Sequence, residues 1–232
     1  MKKFFFFLGI VLWVLTSSLL PGEGLAKGWI LYDDFNSGVF DENLWVLDQS
    51  GGSITIENGR AKFVTQPTAA PGECILIFQK NVDKIRGIRV TVTVDSLEGD
   101  MEAAGIGCWV GKLGDNYVWN ELGPQYRHHG YLDGIWGYLW VIKEGTGGWI
   151  YDIFTASFEK PIDIIGGTFT ISTIFDSREE VTYEVNGLGE IRLNLPQTMS
   201  KTDNFYKIIH TIGRNIGPGK LVVYFDDVYV LK

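Results

Sequence analysis

A chain of 232 residues with 45% hydrophobic and 21% charged side chains has ample apolar surface to bury, which excludes a disordered polymer. Its 29 glycines follow no Gly-X-Y period, so a collagen-like helix is excluded as well. A net charge of -8 argues against a nucleic-acid partner, because phosphate binding draws on clustered Lys and Arg.

At the N-terminus, Lys2 and Lys3 precede an uncharged apolar run from Phe4 to Leu20, followed by Pro21-Gly22-Glu23-Gly24-Leu25-Ala26. A basic start, an apolar centre and small residues at a cleavage point predict a secretory signal peptide over 1–26. The protein is then secreted, extracellular or periplasmic, with one domain over 27–232. The run falls just short of the ~20 residues that span a bilayer, so an uncleaved anchor is the alternative, and membrane contact is expected only in that case.

Beyond it, short runs rich in Val, Ile, Thr, Phe, Tyr and Trp alternate with Gly, Asn, Asp and Pro. In chain order the predicted strands are 29–35, 53–57, 60–65, 74–79, 88–94, 104–110, 117–122, 136–142, 149–154, 168–175, 181–185, 190–195, 207–212 and 221–231. Asn58-Gly59 and Asn186-Gly187 are hairpin signals, since Asn-Gly supplies the positive φ of a tight turn. No window carries a sustained helical stripe, although 200–209 has room for one short helical turn. The pattern predicts an all-β, antiparallel two-sheet β-sandwich.

Within these strands, Arg89-Val90-Thr91-Val92-Thr93-Val94 alternates polar and apolar, so one face packs inward. In the last strand, strict alternation groups Leu221, Val223, Phe225 and Tyr229 on one face. Val222, Tyr224, Val228 and Val230 take the other, with Asp226 and Asp227 one per face. Cys74 and Cys108 lie in separate apolar runs. Two buried free thiols on separate strands are expected, and a disulfide between them, which export permits, is the alternative.

Three sequence features carry a resemblance. The opening Leu31-Tyr32-Asp33-Asp34-Phe35-Asn36, the following Asp41-Glu42-Asn43-Leu44-Trp45 and the closing Tyr224-Phe225-Asp226-Asp227-Val228-Tyr229-Val230 resemble the first and last strands of concanavalin A-like lectin/glucanase jelly rolls. That superfamily includes laminin-G-like modules and family 16 glycoside hydrolases. The resemblance implies two curved sheets whose concave face holds glycans. It also implies that the first and last strands lie close together, where several members hold a structural Ca²⁺. Asp33, Asp34, Asp226 and Asp227 are the expected ligands, carboxylate oxygens being suited to that ion.

Retaining glucanases of this fold use Glu-x-Asp-x-Glu on one strand, so that alternation brings nucleophile and acid/base about 5–5.5 Å apart. The literal match here is Glu98-Gly99-Asp100-Met101-Glu102, which has turn chemistry and is expected to join strands 88–94 and 104–110. The resemblance instead puts the carboxylate strand at Tyr117-Val118-Trp119-Asn120-Glu121. Its three key positions hold Tyr117, Trp119 and Glu121, and one carboxylate cannot divide the two roles. His128 and His129 are adjacent and would face opposite ways on a strand.

Aromatic residues crowd the stretch from 117 to 151, amid Asn, Gln, Glu and Asp. Aromatic faces stack on sugar rings and polar groups take the hydroxyls, while the same residues would also suit a core. The predicted carbohydrate-binding residues are Tyr117, Trp119, Glu121, Tyr126, Tyr131 and Trp149. The expected function is a non-catalytic, lectin-like module with a polysaccharide or surface glycan as partner. The alternatives are a glycoside hydrolase or polysaccharide lyase with a degenerate site around Glu121, or a laminin-G-like adhesion module.

Overall fold

The computed structural model describes residues 28–66, 72–78, 85–110, 112–113, 116–126, 134–142, 149–157, 165–176, 180–187, 189–194 and 207–232. Among these it holds strands β1 (Trp29–Asp33), β2 (Trp45–Asp48), β3 (Gly52–Glu57), β4 (Arg60–Thr65), β5 (Gly72–Phe78), β6 (Gly87–Val110) and β7 (Lys112–Leu113). They continue with β8 (Asn116–Tyr126), β9 (Gly134–Ile142), β10 (Trp149–Ser157), β11 (Thr168–Phe175), β12 (Glu180–Val185), β13 (Gly189–Asn194) and β14 (Lys207–Leu231). Every pairing is antiparallel. The expected all-β sandwich is the observed fold.

Two strands run the length of the molecule. β6 and β14 pair from Gly87↔Leu231 to Val110↔Lys207 and form a shared ribbon. One end of the ribbon sits in the layer β10-β9-β8-β6-β14-β5-β2. The other end sits in the layer β13-β12-β11-β6-β14-β4-β3, with β1 capping the C-terminal end of β14. The sequence pattern split each of these strands in two. Of the segment assigned a helical turn, residues 207–209 belong to β14 and the remainder lies outside the described residues.

The layers close on one core. Ile88, Val90, Val92 and Val94 from one half of β6 are buried, as are Ile106 and Cys108 from the other half. Thr173 of β11, fully buried, donates to the carbonyl oxygen of Cys108 at 2.5 Å and so ties one layer to the other. Phe63 and Phe225 meet edge-on at 4.7 Å in the same core. The turn Asn58-Gly59 has φ of 53° and 72°, as a two-residue hairpin closing Glu57↔Arg60 requires.

The last strand departs from strict alternation. Leu221, Val223 and Phe225 are core residues, and so are Val228 and Val230, three and five positions after Phe225. The cause is a β-bulge. Asp227 takes φ of 46°, and the register slips between Asp226↔Thr91 and Tyr229↔Arg89, so one extra residue resets the phase. Val228 and Val230 therefore share the face of Phe225, and Tyr229 does not. Gly87 is a second constraint, since a Cβ there would stand 2.9 Å from the Thr173 carbonyl oxygen.

Two expectations follow. In urea unfolding, Val228→Ala should cost about 2 kcal/mol and Tyr229→Ala less than half of that; the reverse order would restore strict alternation. Gly87→Val should lose about 1–3 kcal/mol by overpacking.

Candidate functional site: an aromatic sheet face

The aromatic stretch folds into β8, β9 and β10, and their registers line up cross-strand rows. Tyr117, Trp140 and Tyr151 form one row, flanked by Lys112 of β7. Trp119, Tyr138 and Ile153 form the next. Glu121, Trp136 and Thr155 form the third. Directly opposed residues share a sheet face, and so do residues two apart, so all three rows occupy one face.

The side facing the core is fixed by a neighbour. Leu122 of β8 pairs with Ile106, which is fully buried in the core. The positions sharing that face are Val118, Asn120, Leu122, Ile135, Gly137, Leu139, Val141, Ile150, Asp152, Phe154 and Ala156, a mostly apolar set in which Asn120 and Asp152 are the polar members. The rows of Trp and Tyr therefore lie on the face away from the core, in answer to the question that sequence composition left open.

The same face continues across the layer. Leu76 of β5 pairs with Ile209 of β14, which pairs with Cys108, and all three positions belong to the core side. On β2, Trp45 is buried while Val46 and Asp48 are exposed, so the opposite side meets solvent there. Val46, Ile77, Ile208 and Trp109 are successive partners on that side. Asp48, Ile75, His210 and Gly107 form the adjacent row.

Of the expected binding residues, Tyr117, Trp119 and Glu121 are brought together at alternate positions of β8. Tyr126 ends the same strand, past a register slip at Gly123-Pro124, and pairs with Ala103. Trp149, the first residue of the strand expected over 149–154, opens β10 opposite Ile142, on the face of Tyr151. Tyr131, His128 and His129 lie outside the described residues. Sequence reasoning did not select Trp136, Tyr138, Trp140, Tyr151, Trp109 or His210 for the site. Trp136, Tyr138 and Trp140 were recognisable as one strand face, and only the strand order could add the others.

The segment Glu98-Gly99-Asp100-Met101-Glu102 corrects an expectation. It is no turn but the middle of β6, paired through Glu98↔Lys220, Gly99↔Gly219 and Met101↔Asn215. Its Ser, Gly and Asp have turn preferences that pairing along β14 overrides. The register then slips before Ala103↔Arg214, leaving Glu102 as the extra residue of a bulge. The i, i+2, i+4 spacing therefore does not put three carboxylates in one row.

At the joined chain ends, β1 pairs with β14 through Trp29↔Leu231 to Asp33↔Val228, with the first and last strands adjacent as expected. Asp33 accepts from the Trp45 indole Nε1 at 2.6 Å and from the Phe35 amide at 2.9 Å. Asp34 accepts from the Asn36 amide, which lowers its carboxyl below the usual range. Asp226 accepts from the Asp227 amide at 2.9 Å, yet burial raises its carboxyl, with Asp227 and Asp34 adding repulsion. Partial burial together with Asp33 and Asp41 pushes the Tyr32 phenol up to about 12. Ca²⁺ takes six to eight oxygens. Asp33, Asp34 and Asp226 accept these backbone and indole donors, and among the described residues no three His, Cys, Asp or Glu side chains converge on a metal position.

Cys108 is a free, buried thiol. Cys74 sits on β5 opposite Thr211 of β14, whereas Cys108 on β6 lies opposite Ile209, so a whole strand separates the two. Two strand spacings amount to about 10 Å, beyond the roughly 4.4–6.8 Å that a disulfide spans between Cα atoms. Burial pushes the Cys108 thiol up to about 12.

No protein-family model and no curated protein matches the sequence. Solved structures do match the fold. A Bacteroides ovatus mixed-linkage-glucan family 16 glycoside hydrolase, in complex with a G4G4G3G product, superposes with a TM-score of 0.61 at 13% identity, over 86% of this chain and 98% of that one. The laminarinase catalytic domain of Thermotoga maritima gives 0.60 at 16%, over 89% and 99%. The apo Crh5 transglycosylase gives 0.56 at 11%, over 90% and 86%. The chain has the concanavalin A-like jelly-roll fold of the family 16 glycoside hydrolases.

Two outcomes test this geometry. Thiol reagents should leave Cys108 unmodified in the native protein at pH 8 and react only as it unfolds; rapid native labelling would contradict its burial. Asp226 has a raised folded pKa, so deprotonation costs stability as pH rises above the unfolded carboxylate range. Asp226→Asn should therefore raise the melting temperature at pH 7, and the gain should vanish near pH 3.

Proposed function

We propose that the protein is an exported, non-catalytic carbohydrate-binding module that holds a polysaccharide or surface glycan on the face built by β8, β9 and β10. One observation carries this reading: Tyr117, Trp119, Trp136, Tyr138, Trp140 and Tyr151 share the sheet face opposite the core. Aromatic residues at positions lined up in rows opposite a core suit stacking on the C–H faces of sugars. Glu121, within these rows, adds a polar group of the sort that orients a ligand.

The structural neighbours support the ligand class, since the Bacteroides ovatus protein is bound to a mixed-linkage glucan product and the Thermotoga maritima protein is a laminarinase. The basic and apolar segment over 1–26 supports export. Hydrolysis is the second reading, and Glu121 favours it. Two carboxyl groups are needed, however, and at positions 117, 119 and 121 only one is present.

Affinity gel electrophoresis against laminarin and mixed-linkage β-glucan checks the proposal. Binding should fall at least ~10-fold in Trp119→Ala and in Tyr138→Ala, the loss of a hot-spot side chain, with the melting temperature unchanged. Release of reducing sugar that stops in Glu121→Gln would replace this reading with a hydrolase. Failure to bind any polysaccharide in a broad panel would point to a protein partner.

A further inference from the structure

A strand at the end of a sheet shows a row of unused amide and carbonyl groups, and a charged residue on that strand discourages another chain from pairing there. The end strands of this molecule carry such residues: Asp152 on β10, Lys112 on β7, Asp48 on β2, Glu57 on β3, and Glu190 and Arg192 on β13. β1 differs. Among the described strands it pairs with β14 alone, and its one charged residue, Asp33, is its last. Ile30 and Leu31, in its middle, are 46% and 47% exposed. The Lys232 amide donates to the Gly28 carbonyl at 3.2 Å, and the register continues as Trp29↔Leu231, Ile30↔Val230 and Leu31↔Tyr229. Gly28 and Ile30 thus turn their backbone groups toward β14, while Trp29 and Leu31 turn theirs to the open side, as alternation along an antiparallel ladder requires. Consistent with this, the Leu231 carbonyl opposite Trp29 points away from β1 and accepts from the Arg86 amide at 2.7 Å. Among the described residues nothing bonds the outward backbone groups of Trp29 and Leu31.

We propose that this edge pairs with the same edge of a second copy of the chain, antiparallel about a twofold axis at Ile30. In that register Trp29 lies opposite the partner's Leu31, and every amide and carbonyl that these two residues turn outward gains a hydrogen bond across the axis. Ile30 meets the partner's Ile30 as a non-hydrogen-bonded pair, the arrangement in which facing side chains stand closest. On the other face, Leu31 meets Trp29, whose indole is held in place by the Arg89 guanidinium at 4.4 Å from the ring centre. A contact made by one patch with itself closes at the dimer and does not propagate.

That self-match selects a second copy over a strand of another protein. Residues 28–32 carry no charge, so a chain with a net charge of -8 meets itself along the paired segment without opposing carboxylates. The paired segment is short and falls below the ~1,200 Å² of standard interfaces, so the association is weak and shows at high concentration. β8, β9 and β10 lie on the β6 side of the ribbon, whereas β1 lies on the β14 side. Both copies therefore keep their aromatic faces, and the pairing stands whether or not those faces hold a glycan.

Sedimentation equilibrium of the full chain, from ~5 to ~500 μM, tests this by reading a monomer–dimer constant. Ile30→Lys and Leu31→Lys should each weaken the dimer at least ~10-fold by setting ammonium groups on the shared edge, with the melting temperature unchanged because both positions are half exposed. Oxidation of Ile30→Cys gives a second, position-specific readout. The two substituted positions would have Cα atoms about 4.5 Å apart, inside the roughly 4.4–6.8 Å that a disulfide spans. A covalent dimer should therefore form at least ~10-fold faster than from Val39→Cys, an exposed position off the edge, while native Cys108 stays buried and unreactive. A monomer throughout the concentration range would overturn pairing between copies and leave the edge to an extended segment of another protein. Self-association that both lysine variants leave intact would also overturn it, by placing the contact elsewhere. Cross-linking of Ile30→Cys no faster than that of Val39→Cys would do the same.

Discussion

The structure depends on the pairing of β6 with β14. Each strand passes through both layers, and the ladder between them is continuous from one end of the sandwich to the other apart from its slips. Every other strand is added outward from that ribbon, with β8 and β11 on the β6 side and β5, β4 and β1 on the β14 side. The phase of the ribbon therefore decides which residues of each added strand face the core.

That phase is reset at a few places. Gly217-Pro218-Gly219 sits where the register jumps from Asn215↔Met101 to Gly219↔Gly99, and proline has no amide hydrogen for the ladder. Asp226-Asp227 supplies the last reset, after further slips at Arg214/Asn215 and Val222/Val223, with Asp227 in the left-handed region that Asp tolerates better than most residues. The result is a core with Leu221, Val223, Phe225, Val228 and Val230 all inside. Close by, Asp33 fastens Trp45 and the turn at Phe35, so that β1 and β2 enter the sandwich at fixed positions. Asp34 and Asp226 likewise accept backbone amides, of Asn36 and Asp227.

Much of the fold was legible because strands and tight turns are local. Alternation in 89–94 and the Asn58-Gly59 turn needed nothing beyond neighbouring residues, and both are observed. The site was legible only in part. Tyr117, Trp119 and Glu121 share a face by spacing alone, but whether that face is core or surface depends on Ile106, a residue of another strand. His210 gave no local signal, since its place in the row follows from β14 lying between β5 and β6. The segment 98–102 misled because its composition favours a turn, while its partner on β14 holds it extended.

The amino-acid sequence by itself determined an antiparallel, all-β chain, its principal hairpin turn and the aromatic character of residues 117–151. These follow from side-chain periodicity and backbone preference, which act over a few residues. Only the tertiary structure decided that the aromatic rows lie opposite the core, that Cys74 and Cys108 stand a strand apart, and that Val228 turns inward. Each of these depends on the register between strands distant in the chain, and a slip of one residue moves every following side chain to the opposite face.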